Sequence, residues 1–216
     1  MEIIVLGDGG HSKVIQEMIH ATKGHHIIAI LDDKYELMFE KNKIIYGPLA
    51  YLSDIISAET KVVIAIGNNA IRRQLFKKLL VREDQYLTVI HPSSRISRTA
   101  TIGNGTVVMP GVSVNAMATV EEHCIINTGA IVEHDTVVGR FAHISPNATL
   151  TGNVSIGEGV HIGASTTIIP EIKVGNWAVV GAGSTVIKHI PANSTAVGCP
   201  TRIVSKQGKE NLEIRL

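Results

Sequence analysis

The sequence predicts two folds in succession, a small parallel α/β domain followed by a parallel β-helix. Three observations lead to this prediction. Short apolar runs alternate with helix-like segments before residue 89, and a six-residue repeat then continues as far as Val186. In addition, 44% of the 216 residues are apolar although only 4% are aromatic. The core is therefore expected to be aliphatic throughout.

Residues 1–88 alternate apolar runs with segments of helical spacing, which is typical of a Rossmann-like parallel sheet. The predicted strands are Ile3–Leu6, Ile27–Leu31, Val62–Ile66 and Leu87–Ile90, and the predicted helices are Ser12–Ala21, Pro48–Ile56 and Asn69–Leu80. Ligands bind beyond the carboxyl ends of parallel strands. Residues suited to such a site follow three of these strands, namely Gly9, Gly10 and His11, then Asp32 and Asp33, then Gly67.

The repeat from Ile90 to Val186 places Ile, Val or Leu at 17 consecutive positions spaced six residues apart. The residue four positions after each is small or β-branched. A six-residue period fits a hexapeptide β-helix, in which three hexads form a coil of about 18 residues. We predict this β-helix for residues 89–190, capped at its end by residues 191–216.

Charge and composition exclude several classes of protein. The 20 basic and 19 acidic residues leave a net charge of +1, which argues against a nucleic-acid partner. No basic segment precedes the short apolar run at the N-terminus, so we expect no signal peptide, and no apolar run approaches the roughly 20 residues of a membrane span. We therefore expect a cytoplasmic protein. The two cysteines, Cys124 and Cys199, are expected to be small buried fillers.

Within the repeat, the triplet Glu133-His134-Asp135 is the strongest candidate for chemistry. A carboxylate beside an imidazole can orient the ring and favour its protonated form, as a general base near neutral pH requires. His143 follows half a coil later, and His161 should lie one coil above His143 on the same face.

Ordered motifs in both halves of the chain resemble one family of enzymes. These motifs are Gly9-Gly10-His11, Leu31-Asp32-Asp33, Ile66-Gly67-Asn68-Asn69 with Arg72, Ile90-His91-Pro92, and Asn127-Thr128-Gly129-Ala130 before Glu133-His134-Asp135. From Met1 to about Val204 the chain resembles the sugar O- and N-acetyltransferases of the NeuD and PglD type, including those of Bacillus exopolysaccharide operons. The resemblance implies that the β-helix is left-handed.

The resemblance also implies roles for individual residues. His134 would accept a proton from the acceptor as it attacks acetyl-CoA, and Asp135 would raise the basicity of His134. Acetyl-CoA would be the co-substrate, with no metal expected, and a UDP-linked 4-amino-sugar would be the acceptor. The residues implied to bind acetyl-CoA are His143, Gly152, Ala164 and Ala182, and those implied to bind the UDP-sugar are Gly9, Gly10, His11, Asp32, Asp33 and Gly67.

The charge-poor walls of the predicted β-helix favour self-association, and proteins resembling this one are homotrimers with sites between neighbouring prisms. Phe141 and Trp177 are the only aromatic residues within the repeat. Because a narrow interior has no room for large rings, we expect both on the outer surface, packed against a neighbouring subunit.

Other functions stay open at this stage. Acetylation of a sugar hydroxyl is one, and a trimeric scaffold that binds a nucleotide-sugar without catalysis is another. A nicotinamide enzyme is disfavoured because Ser12 replaces the third glycine of the dinucleotide fingerprint. A metal-dependent hydratase of the γ-carbonic-anhydrase kind would use several of His123, His134, His143 and His161, but their spacing does not match that family's pattern.

Overall fold

The computed structural model describes residues 1–206 and begins with a five-stranded sheet of order β3-β4-β2-β1-β5. Four of its strands run parallel, and the edge strand β3 is antiparallel to β4. The strands are β1 (Glu2–Leu6), β2 (His26–Leu31), β3 (Phe39–Lys41), β4 (Ile44–Gly47) and β5 (Lys61–Ile64). The helices are α1 (Gly10–His20), α2 (Leu52–Ile55) and α3 (Asn69–Lys78), with 3-10 turns at Leu49–Tyr51 and Glu83–Gln85.

Two expectations for this half need correction. The predicted strand Leu87–Ile90 is not a full strand of the α/β sheet. The Leu87 amide bonds the Val62 carbonyl of β5, but Val89 and Ile90 pair with the next coil of the β-helix. The predicted helix Pro48–Ile56 is a 3-10 turn followed by a single α-helical turn. The fourth parallel strand is instead β4, which the β3–β4 hairpin supplies. Asn42 and Lys43 at its tip have φ values of 53° and 65°, the left-handed conformation that tight hairpins use.

From residue 89 the chain forms a parallel β-helix, as the six-residue repeat predicts. Each predicted apolar position is the second residue of a two-residue strand. The strands are Val89–Ile90 (β6), Arg95–Ile96 (β7), Thr101–Ile102 (β8), Val107–Val108 (β9), Ser113–Val114 (β10), Thr119–Val120 (β11), Ile125–Ile126 (β12), Ile131–Val132 (β13), Val137–Val138 (β14), His143–Ile144 (β15), Thr149–Leu150 (β16), Ser155–Ile156 (β17), His161–Ile162 (β18), Thr167–Ile168 (β19), Lys173–Val174 (β20), Val179–Val180 (β21) and Thr185–Val186 (β22).

Each strand from β6 to β19 pairs with the third strand after it, so residues 18 apart are stacked, as in the pair Ser113 and Ile131. Three sheets result, and we number them by their first strands, β6, β7 and β8. Three corners join them. The first corner leads from the first sheet to the second (127–130, 145–148, 163–166, 181–184), the second corner from the second sheet to the third (115–118, 133–136, 151–154, 169–172), and the third corner from the third sheet back to the first (121–124, 139–142, 157–160, 175–178).

The interior of the β-helix is aliphatic and well buried beyond its first coil, where Ile90 remains 40% exposed. One continuous apolar cluster joins residues of α1, such as Ile15 and Ile19, to the β-helix core. The N-terminal domain therefore packs against the β-helix but leaves the first coil partly open.

At the other end, β23 (Ser194–Val197) continues the first sheet and β24 (Arg202–Lys206) pairs antiparallel with β23. The remainder of the predicted cap, residues 207–216, lies outside the described residues. No helix within residues 1–206 is long and apolar enough to cross a bilayer.

Candidate active site

The carboxyl ends of β1 and β5 lie towards the first sheet of the β-helix: the ring centre of His11, after β1, is 6.4 Å from that of His143, and the Gly67 backbone, after β5, lies beside His143. We call the region between these strand ends and the first sheet the crevice. Gly9 and Gly10 are exposed at the start of α1, whose N-terminus has no capping side chain. A Cβ atom at Gly9, Gly10 or Gly67 would have no other atom within 4 Å. Backbone N–H groups at a helix N-terminus with this much space are suited to an approaching phosphate.

Asp32 and Asp33 lie at the same edge, but their carboxylates already hold neighbouring loops. Asp32 Oδ2 accepts from the amide of Asp8 at 2.6 Å, and its Oδ1 accepts from the amide of Lys34 at 2.9 Å. Asp33 Oδ1 accepts from the amide of Leu49 at 3.1 Å. Each carboxylate has further lone pairs. Both aspartates therefore hold the backbone of the loops that border the crevice.

An ion pair between the loops that follow β1 and β2 was not predicted from the sequence. The Asp8 carboxylate contacts Lys34 Nζ at 2.7 Å and the Tyr35 hydroxyl at 2.5 Å. Burial alone would raise the pKa of Asp8, but hydrogen bonds from Lys34, Tyr35 and Gln16 together lower it below the usual value. The pair joins the loops after β1 and β2. No local pattern indicates it, because its members are 26 residues apart.

Three imidazoles form a row where the crevice meets the first sheet. The ring centres of His11 and His143 are 6.4 Å apart, and those of His143 and His161 are 4.9 Å apart. Burial, with the charge of Arg72, lowers the pKa of His11 to about 4. Burial also lowers the pKa of His143 well below its ordinary value and lowers that of His161. All three rings are therefore neutral near pH 7.

Asn127 determines which nitrogen of His143 carries the proton. The amide N–H of Thr128 donates to Asn127 Oδ1 at 2.8 Å, so Asn127 Nδ2 is the atom that faces His143 Nε2 at 3.0 Å. His143 Nε2 must accept, which assigns the proton of the neutral ring to Nδ1. That Nδ1 is buried and makes no hydrogen bond of good geometry within residues 1–206, although the Gly67 backbone lies beside the ring. His143 thus holds an N–H donor on the side that faces the N-terminal domain.

His134 and Asp135 lie together at the second corner, far more exposed than the row of imidazoles. Their side chains are 61% and 58% exposed, and His134 Nδ1 is 2.8 Å from Asp135 Oδ2. A carboxylate only accepts hydrogen bonds, so Nδ1 carries a proton and Nε2 of the neutral ring has a free lone pair. Asp135 has a φ of 58°, a conformation that Asp adopts more readily than most residues.

Gly152 lies directly beside His134, one coil further along, and a Cβ there would be 2.7 Å from His134 Nε2. The amide N–H of Gly152 has no acceptor within residues 1–206. Ala164 and Ala182 occupy one position of successive coils at the first corner, and Ala182 is exposed. The four residues predicted to contact acetyl-CoA therefore divide between two edges of the prism.

One chain does not bring the two principal histidines together. His134 belongs to the second corner, whereas His143 begins strand β15 of the first sheet, opposite that corner. The crevice residues His11 and Gly67 lie on the same side of the prism as His143. A site that uses both histidines requires two copies of the chain.

Comparison with known proteins identifies the family. Residues 2–79 match the PglD N-terminal domain, and residues 153–188 match the bacterial transferase hexapeptide repeats. The crystal structure of PerB from Caulobacter crescentus, in complex with CoA and GDP-perosamine, has a TM-score of 0.86 and 32% sequence identity, covering 95% of this chain and 98% of PerB. The chain belongs to the PglD-type family of sugar acetyltransferases.

Two further members of the PglD-type family are informative. The acetyltransferase domain of PglB from Neisseria gonorrhoeae, solved in complex with acetyl coenzyme A, is 33% identical with a TM-score of 0.84, covering 94% of this chain and 98% of that one. UDP-N-acetylbacillosamine N-acetyltransferase from Bacillus subtilis is 45% identical over 108 residues, which are 49% of this chain. The match spans half the length of that curated relative.

In this PglD-type chain, the expectation for Phe141 and Trp177 is not supported. Phe141 is only 3% exposed and stacks on His123 with 5.2 Å between ring centres, beside Phe76 of α3. The Trp177 ring lies 5.3 Å from the guanidinium of Arg73, also on α3. Both rings therefore pack under or against the N-terminal domain of their own chain.

The four histidines considered for a metal site do not converge in this PglD-type chain. His123 is stacked in the aromatic cluster at the third corner, and His134 lies at the second corner. Within residues 1–206, no group of three or more His, Cys, Asp or Glu side chains is arranged to hold a metal ion.

Proposed function

We propose that this protein transfers the acetyl group of acetyl-CoA to the amino group of a UDP-linked amino-sugar, a 4-amino-sugar in particular. The reaction would belong to the synthesis of an exopolysaccharide or other surface glycan. The observation that carries the proposal is the His134–Asp135 pair, whose geometry leaves Nε2 as a free acceptor beside an unpartnered backbone amide. We propose that the reaction takes place in the cytoplasm.

His134 is the general base of the proposed reaction. The acceptor ammonium first loses one proton to solvent, and Nε2 of His134 takes a second proton from the nitrogen as the neutral amine attacks the thioester carbonyl. Asp135 holds Nδ1–H and stabilises the imidazolium that forms. The carbon–sulfur bond then breaks, the thiolate takes the proton back from His134, and the products are the amide and CoA.

Two N–H donors are suited to the oxyanion that develops on the thioester carbonyl. The Gly152 amide is fixed in the backbone next to His134, and the Nδ1–H of His143 is buried and neutral. Preorganised donors of this kind typically contribute a factor of about 10²–10³ each. The pantetheine arm would follow the exposed first corner past Ala164 and Ala182.

The acceptor's nucleotide would occupy the crevice of the N-terminal domain. Its diphosphate would lie at Gly9 and Gly10, at the start of α1, and the sugar would extend towards His11 and His143. UDP is the proposed nucleotide because the curated Bacillus subtilis relative is named for a UDP-sugar. PerB was solved with a GDP-sugar, so the guanine nucleotide is the alternative to test.

A neighbouring copy would complete each site in a homotrimer. The second corner that carries His134 also exposes Met117, Ile169 and Ile187, which are 61%, 36% and 41% exposed. Burying this apolar edge against the first sheet of a second copy would bring His134 of one copy to His143 of the other.

Turnover with purified protein tests the activity. Acetyl-CoA is mixed with UDP- and GDP-linked amino-sugars, and the acetylated product is detected by mass spectrometry, because the exposed thiol of Cys199 would interfere with a thiol reagent. His134→Ala should lower the rate by about 10²–10⁴-fold and leave acetyl-CoA binding intact. His20→Ala, which removes an exposed imidazole from α1, is the control. Absence of turnover with every acceptor would instead favour the scaffold, and transfer only to hydroxyl-bearing sugars would favour O-acetylation.

Complementation tests the shared site. His134→Ala and His143→Ala chains should each be nearly inactive, whereas co-expressed chains should recover about a quarter of the wild-type activity by random mixing. A monomer in sedimentation experiments, or no recovery in the mixture, would contradict a site formed by two copies.

A further inference from the structure

Arg72 of α3 is 1% exposed and links the two halves of the chain. Its Nε donates to the carbonyl of His123 at 2.8 Å, and its Nη2 donates to the carbonyl of Phe141 at 2.8 Å. These carbonyls belong to successive coils at the third corner. Its Nη1 donates in the opposite direction, to the carbonyls of Ile66 and Gly67 at 3.0 and 3.2 Å.

Asn69, one helical turn earlier, extends the same contact to a third coil. Its Nδ2 donates to the carbonyls of Gly159 and Val160, both at 3.1 Å. Its Oδ1 accepts from Arg72 Nη2 at 2.9 Å. Asn69 and Arg72 therefore bind the backbone of three stacked coils, at positions 18 residues apart.

These contacts use the full donor set of an arginine. The guanidinium has five N–H groups in a rigid plane, and the structure supplies an acceptor for each of them. None of the ion pairs formed by residues 1–206 includes Arg72. Burial lowers the pKa of Arg72 only to about 10, so the group remains charged near pH 7. Uncharged acceptors alone, namely backbone carbonyls from both halves of the chain and the side-chain amide of Asn69, thus hold the charge.

The position of Gly67 gives this arrangement a consequence for the reaction. Gly67 lines the crevice and its backbone lies next to the imidazole of His143. Arg72 holds the Gly67 carbonyl on one side and the coil that contains Phe141, two residues before His143, on the other. A shift of α3 along the corner would change the distance between acceptor and donor sites.

We propose that Arg72, supported by Asn69, is a positioning residue that fixes the acceptor-binding loop at Gly67 in register with the β-helix strand of His143. This inference rests on the proposed function. A displacement of about 1 Å between reacting groups costs up to about 10²-fold in rate. Loss of the hydrogen bonds of the Arg72 guanidinium is therefore expected to lower the turnover rate as well as the stability of the fold.

Arg72→Lys is the decisive variant, because it retains the charge and most of the volume but has three donors instead of five. Arg73→Lys is the matched control. Arg73 is adjacent on α3 and touches the same corner through Glu158 and Trp177, but it has no bond to Gly67. Asn69→Ala is the second variant, since it removes the bonds to the third coil and one acceptor of Arg72 but retains the guanidinium and its bonds to backbone carbonyls.

The kinetic readout separates positioning from stability. At a temperature well below unfolding, Arg72→Lys should lower kcat/KM for the acceptor by about 10²-fold, with acetyl-CoA binding unchanged, and Asn69→Ala should have a smaller effect of the same kind. Arg73→Lys should retain wild-type kinetics. Unchanged kinetics in Arg72→Lys, or an equal loss in Arg73→Lys, would overturn the proposal.

Hydrogen–deuterium exchange tests the same link without any substrate. Faster amide exchange in Arg72→Lys at both 66–68 and 141–143, and not in Arg73→Lys, is the expected result. Unaltered exchange at either segment would overturn the positioning role even if the enzyme is active. The two proposals can fail separately. If Arg72→Lys shows the faster exchange but the wild-type protein acetylates no acceptor, the proposed function is refuted and the structural link through Arg72 is retained.

Discussion

The imidazole of His134 lies against the backbone of Gly152, so closely that a Cβ on Gly152 would be 2.6 Å from Cε1 and 2.7 Å from Nε2. The equivalent corner position holds Ala116 in the coil before His134 and Pro170 in the coil after Gly152. The backbone at this position therefore accepts a side chain. It is the His134 ring that requires glycine at residue 152.

Gly152→Ala should displace the His134 ring and lower kcat by roughly 10–10²-fold, with little change in the unfolding temperature. Steady-state kinetics and a thermal melt check both parts. In a His134→Ala background the same substitution should cause no further loss, because the clash is absent. Wild-type activity in the single variant would show that the contact with the ring is unimportant.

Asp135→Asn should lower kcat by about 10²-fold while KM for acetyl-CoA stays constant. Asn tolerates the positive φ of residue 135, so the fold should be kept. The loss comes from removing the negative charge that stabilises the imidazolium of His134. Glu133→Gln is the control, because the ring bonds Asp135 and not Glu133. Equal rates for both variants would remove Asp135 from the mechanism.

Asn127→Asp should reverse the tautomer of His143 and lower kcat more than it changes KM. The new carboxylate would accept from Nε2–H, and the Nδ1 that faces the crevice would lose its proton. Nuclear magnetic resonance of the ring nitrogens, together with kinetics, measures both effects. The control is Ser145→Ala, which removes the corresponding bond to His161 Nε2 one coil further on. An unchanged tautomer with reduced activity would contradict this explanation.

His123 should make the protein sensitive to acid. Burial, with the charges of Arg140 and Arg72, lowers the pKa of His123 to about 3. The unfolded chain binds a proton near pH 6.5 and the folded chain does not, so stability is full above pH 6.5 and falls as the pH decreases towards 3. One such residue costs about 2 kcal/mol between pH 6.5 and 5.

Urea unfolding at pH 7 and pH 5 tests this expectation with His123→Phe. Phe141 stacks at the same corner position with a similar positive φ, so a phenyl ring should fit. The variant should lose less stability than the wild type between the two pH values. Identical losses would assign the acid sensitivity to the other buried histidines.

Several parts of the site could be predicted from the sequence because they depend on local order. The Glu133-His134-Asp135 triplet indicated a carboxylate beside the ring through chain adjacency, and Asp135 Oδ2 lies 2.8 Å from His134 Nδ1. His143 and His161 are 18 residues apart, so the repeat alone stacks them. The contact of His134 with Gly152 follows from the same spacing, although only the structure reveals how close it is.

Other parts depend on contacts between distant segments and leave no local signal. The Asp8–Lys34 pair joins two loops, and neither residue belongs to a motif that predicts the other. Phe141 was expected at the surface because the narrow interior of the β-helix has no room for its ring. It is buried because α3 packs on that corner, which the repeat does not encode.

By itself, the sequence determined the β-helix, because a six-residue apolar period specifies both strand spacing and the 18-residue stacking of coils. It also determined which strand ends form the crevice, since parallel strands share one carboxyl edge. The tertiary structure alone decided how the two halves meet. Arg72 and Asn69 donate hydrogen bonds to backbone carbonyls of the β-helix, and every residue type supplies the same carbonyl, so the sequence does not reveal which ones are used. The nine-residue spacing of His134 and His143 already placed them half a coil apart, but only the structure decided that the N-terminal domain covers His143 and leaves His134 exposed, because that depends on which side of the prism the domain packs against.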